Sequence, residues 1–123
     1  MEVAKTVWEQ ISETLQRHDI EVYPPATKNG ECKKEYAVVK GDGSSQIGGL
    51  SSEVHYYTFM LYVPKNKYNQ LEKFKQAVKG IVATELNPML MPTGQETPDF
   101  YDDTVKAHMV SITYRNSVRN SQL

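Results

Sequence analysis

The stretch "EVHYYTFMLYVP", residues 53–64, is regular enough to be a strand, yet neither of its sides is polar. In an extended chain His55, Tyr57, Phe59, Leu61 and Val63 point one way, and Val54, Tyr56, Thr58, Met60 and Tyr62 point the other. A small antiparallel sheet normally turns one face to the core and one to water. A strand that is apolar on both sides therefore predicts that something covers the second face. A chain of 123 residues forms one compact domain with one core, burying roughly 65% of its unfolded surface, so residues 1–123 are expected to be a single domain.

The segments around this strand place it in an α+β fold. Val3, Val7, Ile11 and Leu15 recur every four residues, flanked by Trp8 and Thr14, which predicts an amphipathic helix over residues 3–17. Ile20 and Val22 read as a short extended piece that Pro24 and Pro25 end. "KEYAVVK", residues 34–40, has strand composition. The twelve residues of "GDGSSQIGGLSS", 41–52, hold four glycines and four serines and read as a mobile hairpin tip. After Pro64, the stripe of Leu71, Phe74, Val78, Ile81 and Val82 predicts a helix from Lys67 to Leu86 with Asn66 as its cap. Residues 87–105 contain three prolines and a glycine without a period and read as a long loop. "KAHMVSITYR" alternates His108, Val110, Ile112 and Tyr114 with Ala107, Met109, Ser111 and Thr113, and is a closing strand. Residues 116–123 are expected to be a loose polar tail. The expected architecture is α-β-β-β-α-β: an antiparallel sheet of three to four strands with two helices packed on one face. The other face is then left for a partner.

Composition narrows the classes of function. Eight tyrosines against three phenylalanines favour half-buried and interfacial positions, because the ring is apolar and its tip is not. A net charge of -1 argues against a protein built to grip phosphate backbones. One cysteine, Cys32, excludes an internal disulfide. The opening "MEVAKTVWEQ" has no long apolar run, so neither a signal peptide nor a membrane segment is expected there, and the chain is expected to be soluble.

No residue pattern points to catalysis, a metal or a cofactor. His55 and His108 approach each other only if their strands align them, and no close set of further ligands exists for either. "ETPDFYDD", residues 96–103, gathers Glu96, Asp99, Asp102 and Asp103 without the alternation or central glycine of a calcium loop, and reads as a solvated acidic loop. Cys32 has no adjacent base. "GDGSSQIGG" lacks the lysine and following helix of a phosphate loop. Lys67, Lys73, Lys75 and Lys79 form a mild basic face on the second helix, most simply a wet one. The tyrosine-rich strand lacks the glycine-aromatic signature of RNA-reading sheets.

The succession of a short amino-terminal helix, "VYPP", "CKKEYAVVKGDGS", "HYYTFMLYVPKNKYNQLEKFKQAVKGIV" and a closing "HMVSITYR" resembles the tail terminator proteins of long-tailed bacteriophages, also called tail completion or head-tail joining proteins. The resemblance spans Val7 to Arg115 and lies in element order and tyrosine-bearing strands. It implies a structural virion protein at the tail-head junction, assembled in the bacterial cytoplasm. Its copies would form a hexameric ring that caps the tail tube, stops tube growth and joins the tail to the head connector or stopper. DNA would be only a passing genome, and membrane and cofactor would play no part. The alternatives are a non-catalytic head-tail adaptor, stopper or minor capsid component, and more distantly a nucleic-acid-binding module or small enzyme.

Carried onto these residues, the reading expects a subunit interface at Tyr56, Met60, Tyr62, Met109 and Tyr114. Docking loops are expected at Gly41, Asp42, Gly43, Ile47, Leu50, Met91, Phe100 and Tyr101. Asp99, Asp102 and Asp103 are expected to face the channel and repel DNA. Tyr62→Asp or Met60→Asp is expected to spare the fold and prevent assembly.

Overall fold

In a computed structural model describing residues 4–46 and 52–119, the first helix begins where its capping chemistry demands. Glu9 N–H donates to Thr6 Oγ1 at 3.1 Å while the Glu9 carboxylate accepts from Thr6 N–H at 2.8 Å, a reciprocal cap. Helix α1 therefore runs Val7–Gln16, shorter than the predicted 3–17. Ile11 and Leu15 are its buried stripe. After it, Asp19 takes a positive φ of 62°, a conformation aspartate tolerates better than most residues, and the chain enters strand β1, Glu21–Tyr23.

Strand β2, Tyr36–Gln46, pairs parallel to β1 and antiparallel to β3, Ser52–Pro64. Its extent corrects the expected hairpin tip: Gly41, Asp42 and Gly43 belong to the strand, with a register shift between Gly41 and Ser44 and Gly43 at φ 92°. Backbone ladder bonds need no side chains, so a glycine- and serine-rich run can continue a strand across such a bulge. Ile47 and Leu50, expected in the same tip, lie outside the described residues.

The second helical region also differs from its predicted form. A 3-10 turn, Lys65–Gln70, follows Pro64 directly; helix α2 is Leu71–Ile81, and a π-helical turn, Val82–Leu86, completes it. Asn66 sits inside the 3-10 turn, which has no side-chain cap. Leu71, Phe74, Val78, Val82 and Leu86 nevertheless form one buried stripe, as their spacing requires.

Residues 87–105 are not a structureless loop. They supply β4, Met91–Glu96, and β5, Phe100–Asp102, and both pair antiparallel with β6, Ala107–Arg119. The described residues thus form a six-stranded sheet in the order β1-β2-β3-β6-β4, with β5 also on β6. Pro92 and Gly94, at φ 86°, hide β4 from a period-based reading but suit an edge strand with a bulge. The expected loose tail is likewise strand as far as Arg119, since β6 stays in register with β3 from Pro64↔Ala107 to Ser52↔Arg119.

Both helices cover the same face. Their stripes meet Val22, Ala37, Val39, Phe59, Leu61, Val63, Val110, Ile112 and Tyr114 in one core. Trp8 Nε1–H donates to the Val39 carbonyl at 2.6 Å, fixing α1 to β2 just beyond the end of β1. Arg17 and His18 reach Glu85 at 3.4 Å and 2.5 Å, tying the end of α1 to the turn that follows α2. Tyr114, expected at a subunit interface, points into this core and is 3% exposed, its ring 5.1 Å from that of Phe59.

Candidate functional site

The sheet's outer face, opposite the helices, carries Tyr23 from β1, Tyr36 and Val38 from β2, Tyr56, Thr58, Met60 and Tyr62 from β3, and Met109, Ser111 and Thr113 from β6. Much of it is covered by the chain itself. Past Pro24 and Pro25 the segment 24–35 turns back over the face: Cys32 N–H donates to the Val105 carbonyl at 2.7 Å, and Cys32 buries itself against Tyr36, Val38 and Ala107. Tyr36 is 2% exposed, stacked on Tyr62 at 4.8 Å and met edge-on by Tyr23 at 5.6 Å. Lys28 Nζ lies 5.3 Å and 5.4 Å from the Tyr23 and Tyr36 ring centres. Burial pushes the hydroxyls of Tyr36 and Tyr62 upward in pKa, with Asp102 adding to both. Tyr62 is therefore part of an internal stack, and Tyr62→Asp would disturb the fold, contrary to the sequence-based expectation.

Farther along, the outer face closes through polar pairs. Thr58 donates to Asp42 at 2.8 Å and lies 3.1 Å from the Thr113 hydroxyl. Ser111 N–H donates to Thr97 Oγ1 at 3.0 Å, and Thr97 N–H returns a bond to the Ser111 carbonyl at 3.0 Å. Tyr56 sits beyond them with Asp42, Pro92, Thr93 and Arg115, around a polar hollow. Met91 pairs with Arg115 at the same end.

What remains open is the edge at β5. Phe100 stands opposite Met109 on the outer face and is 54% exposed; Tyr101, opposite His108, is 37% exposed, and Tyr68 from the 3-10 turn is 51% exposed. Tyr68 and Tyr101 flank the His108 ring with centroids 4.7 Å and 5.1 Å away, and the Tyr68 hydroxyl donates to Asp99. Thr97, Pro98, Asp99, Phe100 and Met109 line an apolar cleft of about 390 Å³. Asp102 accepts from Thr104 N–H at 3.0 Å, and Asp103 pairs with Lys106 at 3.2 Å. Of the predicted site residues, then, Met109, Phe100, Tyr101, Asp99, Asp102 and Asp103 converge on one edge. Tyr56, Asp42 and Met91 lie at the other end of the sheet. The sequence reading missed Tyr68, whose only signal was an aromatic residue in a segment predicted to be plain helix.

His55 pairs with Asn116 and His108 with Val63, so the register holds the two histidines well apart along β6. Burial pushes the Cys32 thiol up, away from the reactive thiolate, and its Sγ–H donates to the Lys34 carbonyl at 3.3 Å. Among the described residues no group of three or more histidine, cysteine or acidic side chains is placed to hold a metal ion. No helix among them is long and apolar enough to cross a membrane. Slow reaction of Cys32 with an aromatic disulfide reagent is expected, and Tyr36→Ala should speed it by about an order of magnitude or more by freeing the covering segment. Equal rates in the two proteins would show that segment 24–35 does not close the face.

Beneath β4, Glu96 accepts from Lys79 at 2.5 Å and from Lys75 at 3.2 Å. Lys79 first, and Lys75 after it, hold the Glu96 carboxyl below the usual range against the opposing effect of burial. A carboxyl depressed by folding stabilises the native state fully above its unfolded pKa, near 4.3, and that contribution fades as pH falls through the lower folded value. Glu96→Gln should thus cost about 0.5–1 kcal/mol in urea unfolding at pH 7 and close to nothing at pH 3. A pH-independent cost would place the effect in packing instead.

No protein-family model matches the chain, and no curated protein matches it.

Proposed function

We propose that this chain is a structural subunit that assembles with copies of itself into a hexameric ring closing the tail tube of a long-tailed phage and joining the tail to the head connector. The observation that supports this most is the exposed aromatic edge formed by Phe100, Tyr101 and Tyr68. A strand at the edge of a sheet leaves backbone donors and acceptors unpaired, and natural proteins normally blunt such edges with charge, proline or cover. Here Pro98 and three aspartates flank the edge, yet Phe100 and Tyr101 on it and Tyr68 beside it stay exposed next to an apolar cleft. Aromatic side chains with polar tips are the residues that protein interfaces favour.

A ring requires one patch of a subunit to meet a different patch of the next, with a rotation that closes. Edge strands at opposite sides of one sheet, β1 on one and β4 with β5 on the other, give the subunit two distinct flanks. The reading assigns the chain no reaction and no cofactor. Its test is a tube-growth assay with tail-tube subunits of the same virion: added protein should bind tube ends in electron micrographs and arrest elongation. Tubes that grow unchanged with bare ends would end the reading.

A further inference from the structure

Besides the β5 edge, the molecule has a cavity of about 420 Å³ where the start of β2 meets the 3-10 turn and α2. Lys33, Lys34, Lys67 and Lys73 surround it with Glu35, and Val63, Pro64 and Phe74 provide its apolar part. Lys34 lies 3.9 Å from Glu21; among the described residues the other three lysines have no ion-pair partner. Four cations around an apolar floor, against one acid, make this hollow a receptor for a ligand that is both anionic and aromatic.

Resting on the ring reading, we infer that the cavity receives the β5 edge of a second copy, residues 98–103, with Phe100 entering it and Asp99, Asp102 and Asp103 meeting the lysines. The segment reads "PDFYDD", three acids around the most exposed large apolar side chain among the described residues, so its chemistry is the complement of the cavity's. Within one molecule no residue of 98–103 lines the cavity: Phe100 stands opposite Met109 in the cleft at the β5 edge, and β6 lies between β5 and the β3 residues of the cavity. The contact therefore runs head to tail, which is the kind that propagates around a ring. It also turns the acidic segment toward a neighbouring subunit rather than toward a DNA channel.

The test is a charge swap read by sedimentation velocity, with circular dichroism confirming the fold of each variant. One variant carries Lys67→Glu and Lys73→Glu, the other Asp99→Lys and Asp103→Lys. Each alone should self-associate about tenfold or more weakly than the unaltered chain. An equimolar mixture should associate again, because each variant's intact or reversed edge then finds a complementary cavity. Association of the unaltered chain that neither variant weakens, or that mixing fails to restore, overturns this contact and leaves the ring standing. An unaltered chain that stays monomeric alone and with tube subunits overturns both.

Discussion

Phe59→Ala is expected to remove about 3–5 kcal/mol of stability, the range for truncating a large aromatic in a packed core. Phe59 lies mid-strand in β3, opposite Val39 on one side and Ile112 on the other, fully buried under the helices and tilted against Tyr114. Nothing mobile is near enough to refill the space: its neighbours sit on paired strands or on helix stripes fixed by Trp8 and by the Glu85 contacts. Since a domain of ordinary size has about 5–15 kcal/mol in total, the variant should lie near the edge of folding at body temperature. Urea unfolding with an unchanged slope and a strongly lowered midpoint is the expected result. Tyr114, whose hydroxyl burial pushes up to about 12, belongs to the same cluster. A cost below about 1 kcal/mol for Phe59→Ala would mean that the helices do not press on this face as described.

Phe100→Asp should behave in the opposite way. The side chain is half exposed at an edge strand, so its loss should change folding stability by no more than about 0.5 kcal/mol. Assembly is a different matter. An aromatic anchor at the centre of an interface contributes about 2 kcal/mol or more, equivalent to roughly 30-fold in affinity per contact. A closed ring repeats that contact at every junction, so the loss compounds. Sedimentation should show the variant as a folded monomer at concentrations where the unaltered chain is assembled. Tyr56→Asp, at the far end of the outer face beside Arg115, serves as the control and should assemble normally. If Phe100→Asp assembled normally too, the β5 edge would not be the interface.

Much of the fold could be read before the structure because side-chain periodicity and packing agreed. The four-residue spacing of Ile11 and Leu15, the stripe from Leu71 to Val82 and the alternation of Val110 with Ile112 each named the buried side correctly. That alternation also assigns Tyr114 to the core, on the side away from Met109, so grouping the two at one interface conflicted with the strand's own period. Other features left no periodic trace. Strand β2 continues through glycine and serine because its ladder is made by backbone alone, and β4 and β5 are short edge pieces interrupted by proline and glycine.

The outer face shows most clearly where sequence reasoning stops. The two-sided pattern of residues 53–64 called for a cover, and another copy or another protein was the expected one. In the fold, segment 24–35 supplies much of it, through a cysteine set among charged neighbours whose burial depends on a chain reversal after Pro25. The candidate site was legible in part: Phe100, Tyr101, Met109 and the three acids were singled out, while Tyr68 and the lysine-lined cavity depend on elements meeting in space.

A native mass spectrum of the purified protein, alone and mixed with tail-tube subunits, is the most direct measurement. Six copies of the 14.0 kDa chain in one closed species, with no open-ended series, is the result this account predicts. A single copy in both samples would contradict it.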